Sequence, residues 1–208
     1  AKIVPFAGYE MPVQYPTGVL TEHNWTREHA GLFDVSHMGQ ATLRGPDFET
    51  TAKALEHLVP ADVLGLQPLQ QRYSQLLNDD GGIIDDLMMI RGRKDGEIYL
   101  IVNAGCKHKD YAWIKQHLPA NVTLHTRDDL ALVALQGPEA EAVLAAHAPS
   151  DSTMSFMQAA EIRIGTIAAF VTRSGYTGED GYEISVSAND APALWDVLLK
   201  DARVKPIG

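Results

Sequence analysis

Cysteine is nearly missing from this sequence: Cys106 is the only one in 208 residues. An internal disulfide is excluded, and a reducing compartment fits. Long apolar runs are missing too. None approaches the roughly 20 residues of a helical membrane span, so no membrane partner is expected. There is no cluster of basic residues: 17 Lys and Arg stand against 27 Asp and Glu, a net charge of −10. Such a chain is poorly suited to a nucleic-acid backbone, and no nucleic-acid partner is expected. The dinucleotide pattern Gly-x-Gly-x-x-Gly is absent, so nothing is flavin-like. No signal or transit segment is visible, and Ala1 is not an initiator Met.

What is present is ordinary globular composition, 45% hydrophobic and 21% charged, with enough length for one large domain or two lobes. The most informative stretch is Arg72–Val102. At its centre lies Gly81-Gly82-Ile83-Ile84-Asp85-Asp86-Leu87, a glycine pair opening an apolar run that ends in two acids. Asp is depleted in strands. Neighbouring strand residues point to opposite faces, so one of Asp85 and Asp86 should face inward, where an acid needs a partner or a task.

Turn chemistry organises the rest. Ile3–Tyr15, with its prolines and aromatics, should be extended, turn-rich and packed against the body. Thr21–Ala30 reads as a helix that Thr21 caps and Gly31 ends. A strand is expected over Gln40–Arg44 and a helix over Pro46–His57, with Pro46 at its first position. Strands Arg72–Asn78, Ile83–Ile90 and Glu97–Asn103 form a meander, with Asp95-Gly96 marking a hairpin. A helix over about Lys107–Leu118 follows. Strands are expected at Val122–His125 and Asp129–Leu135, and a helix over Pro138–His147. A hairpin of Glu161–Gly165 and Thr166–Arg173, strand Tyr182–Ser187 and helix Ala191–Lys200 complete the pattern. Leu43-Arg44-Gly45-Pro46-Asp47 and Leu135-Gln136-Gly137-Pro138-Glu139 echo each other 92 residues apart, each followed by a meander and a helix. The fold class is therefore α+β, a duplicated antiparallel-sheet-plus-helix unit with two pseudo-symmetric lobes. We place the first lobe at residues 1–50 and 150–208 and the second at 51–149.

Several residues are candidates for chemistry, each with a plainer alternative. Asp85 and Asp86 suit acid–base work, a cation, or acceptance of ligand N–H groups. On opposite faces they cannot chelate one ion, so a metal site is disfavoured; the plain alternative is solvation and local capping. His37 is better read as structural than as a general base, since its neighbour Ser36 does not make a triad. Cys106 with His108 offers too few ligands for a metal. The loop Ser174–Gly181 holds Glu179 and Asp180 and no base, which argues against phosphate. Tyr176 in that loop offers a ring face and a hydroxyl to an aromatic ligand, or simply packs. Together Asp85, Asp86, Tyr73, Tyr176, Glu183 and Met38 suit a planar heterocycle rich in N–H donors, a class that includes both pterins and purines.

Pro5–Pro12, Gly31–Met38, Tyr73-Ser74, Gly81–Leu87, Val102-Asn103-Ala104, Leu135–Pro138 and Gly175–Glu183 together resemble, in order and nearly end to end, the aminomethyltransferase (T-protein) of the glycine cleavage system. The resemblance implies a duplicated folate-binding module. It implies tetrahydrofolate as acceptor, and lipoylated H-protein as the partner that carries an aminomethyl group. The products would be 5,10-methylenetetrahydrofolate and ammonia. It implies Asp86 as the catalytic residue, orienting the pterin and stabilising positive charge near the reacting folate nitrogen. Met38, Tyr73, Asn103, Tyr176 and Glu183 are implied as folate contacts, with no metal and no flavin. Asp86 is then the inward acid and Asp85 the structural one. Ile90 stands where some relatives carry a tyrosine, which implies one ligand contact fewer. The family continues past Lys205-Pro206-Ile207-Gly208 with an arginine-bearing segment and a C-terminal β-barrel domain, so the chain reads as a fragment. Its compartment would be the bacterial cytoplasm or the mitochondrial matrix. Two other readings use the same module: a folate-dependent demethylase or oxidoreductase domain, and a non-catalytic folate-binding or assembly protein.

Overall fold

The computed structural model describes residues 1–148 and 153–208. In chain order the elements are β1 (Lys2–Phe6), β2 (Tyr9–Gln14), α1 (Val19–Glu28), β3 (Ala30–Asp34), β4 (Gly39–Arg44), α2 (Phe48–Glu56), β5 (Gln71–Leu77), β6 (Ile83–Arg91) and β7 (Glu97–Val102). They continue with α3 (Lys107–His117), β8 (Thr123–Thr126), β9 (Leu130–Gln136), α4 (Ala140–His147), β10 (Gln158–Ile164), β11 (Ile167–Arg173), β12 (Gly181–Ser187), α5 (Ala191–Leu198) and β13 (Val204–Pro206). Two compact units result, residues 1–37 with 129–208, and residues 38–128. The first break is not at 50/51 as expected but at 37/38, because β4 is hydrogen-bonded to both β7 and β8. The expected break at 149/150 lies outside the described residues. The division falls instead at 128/129, because β9 pairs with β12 and β3.

The unit of residues 38–128 runs strand, helix, three-stranded meander, helix, strand. Its five strands lie in the order β5-β6-β7-β4-β8. Helices α2 and α3 cover one face. There Leu55, Tyr111 and Ile114 pack with Leu76, Leu87, Met89, Leu100 and Val102. Asp47, rather than Pro46, begins α2: its carboxylate accepts from Thr50 N at 2.7 Å, so Pro46 sits ahead of the cap.

The other unit repeats the plan. β9, α4, β10-β11-β12, α5 and β13 follow in the same order, and the core again lies under the helices. The difference is one strand. The sheet order is β10-β11-β12-β9-β3-β13, so β3 is inserted between the counterparts of β4 and β8. It runs antiparallel to β9 and parallel to β13. Both Gly-Pro echoes fall where a first strand turns into its helix, and the antiparallel duplicated architecture stands.

Three local readings differ from the structure. Gly18, not Thr21, caps α1. Gly31 does not stop that helix but belongs to β3, where a Cβ would lie within 3 Å of Thr26, Ile207 and Phe33 side chains. Ile3–Tyr15 is a hairpin, β1 with β2. It is not packed away: Ile3, Phe6, Tyr9 and Val13 remain exposed.

At Gly137 the φ angle is +131°, and a Cβ would collide with the His29 carbonyl oxygen. That backbone approach ties α1 to the start of α4. Gly137→Ala is expected to cost about 2–3 kcal/mol. Urea denaturation checks this, and an unchanged midpoint would contradict it.

Candidate functional site

In β6 the acids follow a β-bulge. Leu76 pairs with Asp85 and Leu77 with Ile83, so Ile84 is left over. Bulges re-aim side chains at strand ends. Beyond it, strict alternation sets the faces. Asp85 shares the helix-covered face with Leu87 and Met89. Asp86 shares the other face with Met88, beside Gln75 and Tyr73 of β5. The inward acid is thus Asp85 and not Asp86, a correction of the sequence reading. An apolar strand pattern carries no sign of which parity the helices cover.

Opposite faces do not separate the two acids chemically. Asn103 leaves β7 one residue beyond the last β6–β7 pair, Leu87 with Val102. Its Nδ2 donates to Asp85 Oδ1 at 3.0 Å and to Asp86 Oδ1 at 2.9 Å. Two carboxylates fix which end of the amide is nitrogen, since only N–H groups donate. Both amide hydrogens are then used, and the Asn103 carbonyl is left as an acceptor. Tyr73 is exposed, while Met38, in the turn before β4, is half-buried. Ile90 is fully buried.

Beneath Asp85 lies a residue that sequence reading missed. Asp110, in the first turn of α3, is fully buried and faces the Asp85 carboxyl. Burial, then contact with Asp85, pushes its pKa up to about 7. Asp85 also pushes up the thiol pKa of Cys106, the residue before α3. Asp110 gave no signal because one acid in a helix's first turn is commonplace.

In the other unit, Glu183 lies on β12 beside Thr172 of β11 and Ala134 of β9. Its neighbours Tyr182 and Ile184 enter the helix-covered core, so Glu183 takes the face away from the helices. It is 7% exposed. Burial pushes its pKa up to about 7, only partly offset by Ser174. Among the described residues no cation pairs with it. Thr172 Oγ1 is buried with no partner. The Tyr176 ring is largely exposed, but burial around its hydroxyl, and then the charge of Glu183, raise the tyrosine pKa.

The Tyr176 loop is held from below by Gln136, another residue given no role from sequence. Gln136 is fully buried. Its Oε1 accepts from Tyr176 N at 3.1 Å, and its Nε2 donates to Tyr182 O at 3.4 Å. Arg173 clamps Asp180 and pairs with Glu141 at 2.9 Å, while Arg27 pairs with Glu179 at 2.9 Å. The loop's acids are thus spent on its own architecture. Gln136→Ala is expected to free the Tyr176 amide, raising its hydrogen exchange by at least about tenfold. Unchanged exchange at Tyr176 would contradict the anchoring.

His37 packs edge-on against Phe6 and Tyr9, with ring centroids 5.7 and 6.1 Å away. A cleft of about 300 Å³ is lined by Val13, Glu22, Arg27 and Thr177 among others, and by none of the expected ligand residues. Among the described residues no group of three or more His, Cys, Asp or Glu is placed to hold a metal ion. No helix among them is long and apolar enough to cross a membrane.

Both units thus carry an acid of the expected set on the helix-free face of a sheet built to one plan. The model of the GCVT N-terminal domain matches residues 1–208. The chain belongs to this family. A mitochondrial aminomethyltransferase of Dictyostelium discoideum is 40% identical over all of the chain and 54% of its own length. An aminomethyltransferase of Thermosynechococcus vestitus is 42% identical over all of the chain and 56% of its own. The crystal structure of glycine cleavage system aminomethyltransferase T from Bartonella henselae superposes with a TM-score of 0.90 at 42% identity. It is matched over all of this chain and 56% of that one. A heterotetrameric sarcosine oxidase from Corynebacterium, at 16% identity and a TM-score of 0.64 over 88% of this chain and 89% of its own, shares the fold. The chain spans about half the length of the curated relatives it matches.

Proposed function

We propose that this chain is the folate-binding part of an aminomethyltransferase. The reaction passes the methylene of an aminomethyl group, carried on the lipoyl arm of H-protein, to tetrahydrofolate. Ammonia and 5,10-methylenetetrahydrofolate leave, and the lipoyl sulfur regains its thiol proton, so no oxidant is needed. Family membership supports the reaction class. The observation that carries the ligand assignment is Glu183, a buried acid that, among the described residues, has no cation and lies beside an unpartnered Thr172 hydroxyl. A carboxylate held there is the acceptor for an amino and ring N–H edge, which a pterin presents.

Met38, Tyr73, Asn103, Tyr176 and Glu183 would hold the folate. Folate supplies the nucleophilic nitrogens that receive the one-carbon unit. Asp86 acts as catalytic carboxylate: it orients the ring and offers a fixed negative charge where positive charge develops. The Asn103 amide keeps that carboxylate from turning away. Tyr73 and Tyr176 offer ring faces that exclude water from a planar ligand. The relatives include bacterial and mitochondrial proteins, and we assign this one to the cytoplasm or the matrix.

The test is conversion of aminomethylated H-protein plus tetrahydrofolate by the full-length protein. Methylenetetrahydrofolate formed from H-protein and not from dimethylglycine or sarcosine is the expected result. Tight folate binding without H-protein-dependent turnover would overturn the catalytic reading.

A further inference from the structure

Asp85 and Asp110 stand where two carboxylates cannot both be charged. Neither oxygen of Asp110 meets an N–H or hydroxyl among the described residues, and Asp85 Oδ2 is buried and equally without one. The Asp110 carboxyl faces that of Asp85, which also meets the Cys106 thiol. The start of α3 does favour an anion, by about 0.3–1 kcal/mol. Two like charges in contact away from water cost several times that. Repulsion and burial win, and the pair must hold a proton between them. The other groups around Asp110 do not remove the need: Asp86 adds to it, Cys106 is a neutral thiol, and Lys109 offsets it only in part.

We infer that Asp110 is a positioning residue: it shares one proton with Asp85, and the singly charged pair holds the Asn103 amide and, through it, Asp86. The chain of contacts is explicit. The acid hydrogen of Asp110 is donated to Asp85. Asp85 in turn accepts one Asn103 Nδ2 hydrogen at 3.0 Å. The second Nδ2 hydrogen reaches Asp86 Oδ1 at 2.9 Å. If the proton is lost, two adjacent anions repel and Asp85 is driven off Asn103. If Asp110 is removed, Asp85 loses the group it faces and is free to turn away from Asn103. In either case Asp86 loses its anchor. The link from Asp86 to turnover rests on the function proposed above; the shared proton does not.

The experiment separates the two. Infrared difference spectra of the chain are recorded across neutral pH, with Glu183→Gln present to remove the other acid whose pKa burial raises to about 7. The carbonyl stretch of a protonated carboxylic acid should vanish as pH rises, and should be missing in Asp110→Asn. No such band, or a band that survives Asp110→Asn, overturns the shared proton whatever the protein's activity. In the full-length enzyme, kcat should fall above neutral pH. Asp110→Asn, which retains a donor to Asp85 and cannot titrate, should stay within about fivefold of wild type and lose that fall. Asp110→Ala should lower kcat at least tenfold, with the folate KM changed less than threefold. Circular dichroism of both variants tests folding, and Asp110→Asn keeps the inference falsifiable if Asp110→Ala does not fold. An unchanged alkaline limb in Asp110→Asn overturns the positioning role.

Discussion

Asp86→Ala is expected to lower turnover of aminomethylated H-protein by about 10²- to 10³-fold in the full-length protein, the scale of losing one charge aimed at a transition state. The fold should survive. Asp86 lies on the face of β6 away from the helices, and the apolar core of its unit is built by the opposite parity, Leu87 and Met89. The residues beside it, Gln75 and Tyr73, are at least partly exposed. Truncation therefore opens no core cavity, and the thermal midpoint should move by less than about 2 °C. Asp86→Asn sharpens the test. It keeps shape and an acceptor and removes only the charge, so a loss close to that of alanine identifies charge as the working property. The contrast is Asp85→Ala. It strips Asn103 of one acceptor and Asp110 of the group it faces, so it should lose stability as well as activity. An Asp86→Ala enzyme with near wild-type kcat would remove Asp86 from the mechanism.

The stability of the chain should fall as pH rises from about 4 to above 7. Glu183 and Asp110 both have pKa values near 7 in the folded protein, raised from 4.5 and 3.8, and burial is the leading cause in each. A raised pKa means that the folded state binds the proton more tightly than the unfolded chain. The resulting stability is complete below the unfolded value and is lost through the folded one. Each group contributes on the order of 4 kcal/mol, from about 1.4 kcal/mol per pKa unit. Depressed groups work in another window. The Arg203 guanidinium holds Asp201 at about 2, and Arg173 holds Asp180 below the usual range. Their contribution is lost only as pH falls below about 4. Urea denaturation should thus find a maximum between about pH 4 and 5. Glu183→Gln should remove close to half of the decline and be more stable than wild type at pH 8, since it never ionises. A slope unchanged by that substitution would show that Glu183 is not the buried, proton-holding acid described here.

The same property bears on ligand recognition. An acid that is half-neutral near pH 7 and has no cation among the described residues gains its charge when N–H donors arrive. Tetrahydrofolate binding near pH 7 should therefore release protons, seen as a buffer-dependent heat that Glu183→Gln removes.

What was legible in the sequence is what is local. The Gly-Pro echo could be read because turn chemistry repeats over a few residues, and both copies fall where a first strand meets its helix. The Asp95-Gly96 hairpin was readable for the same reason: Gly96 has a φ of +76°, which few other residues adopt. The motifs around Asp86, Asn103, Tyr176 and Glu183 were readable as a resemblance. Placing them on sheet faces was not.

The sequence by itself determined an acidic α+β chain in two related halves without an internal disulfide, and offered Asp85, Asp86 and Glu183 as candidates. Only the tertiary structure decided that β3, from the start of the chain, enters between β9 and β13. It also decided that Asp85, not Asp86, is the inward acid, and that Asp110 waits beneath it. The physical reason is common to all three. Hydrophobic alternation tells each strand which residues share a face, but not which face a helix will cover. That choice belongs to packing between segments far apart in sequence, and so does the meeting of two carboxyls that share a proton.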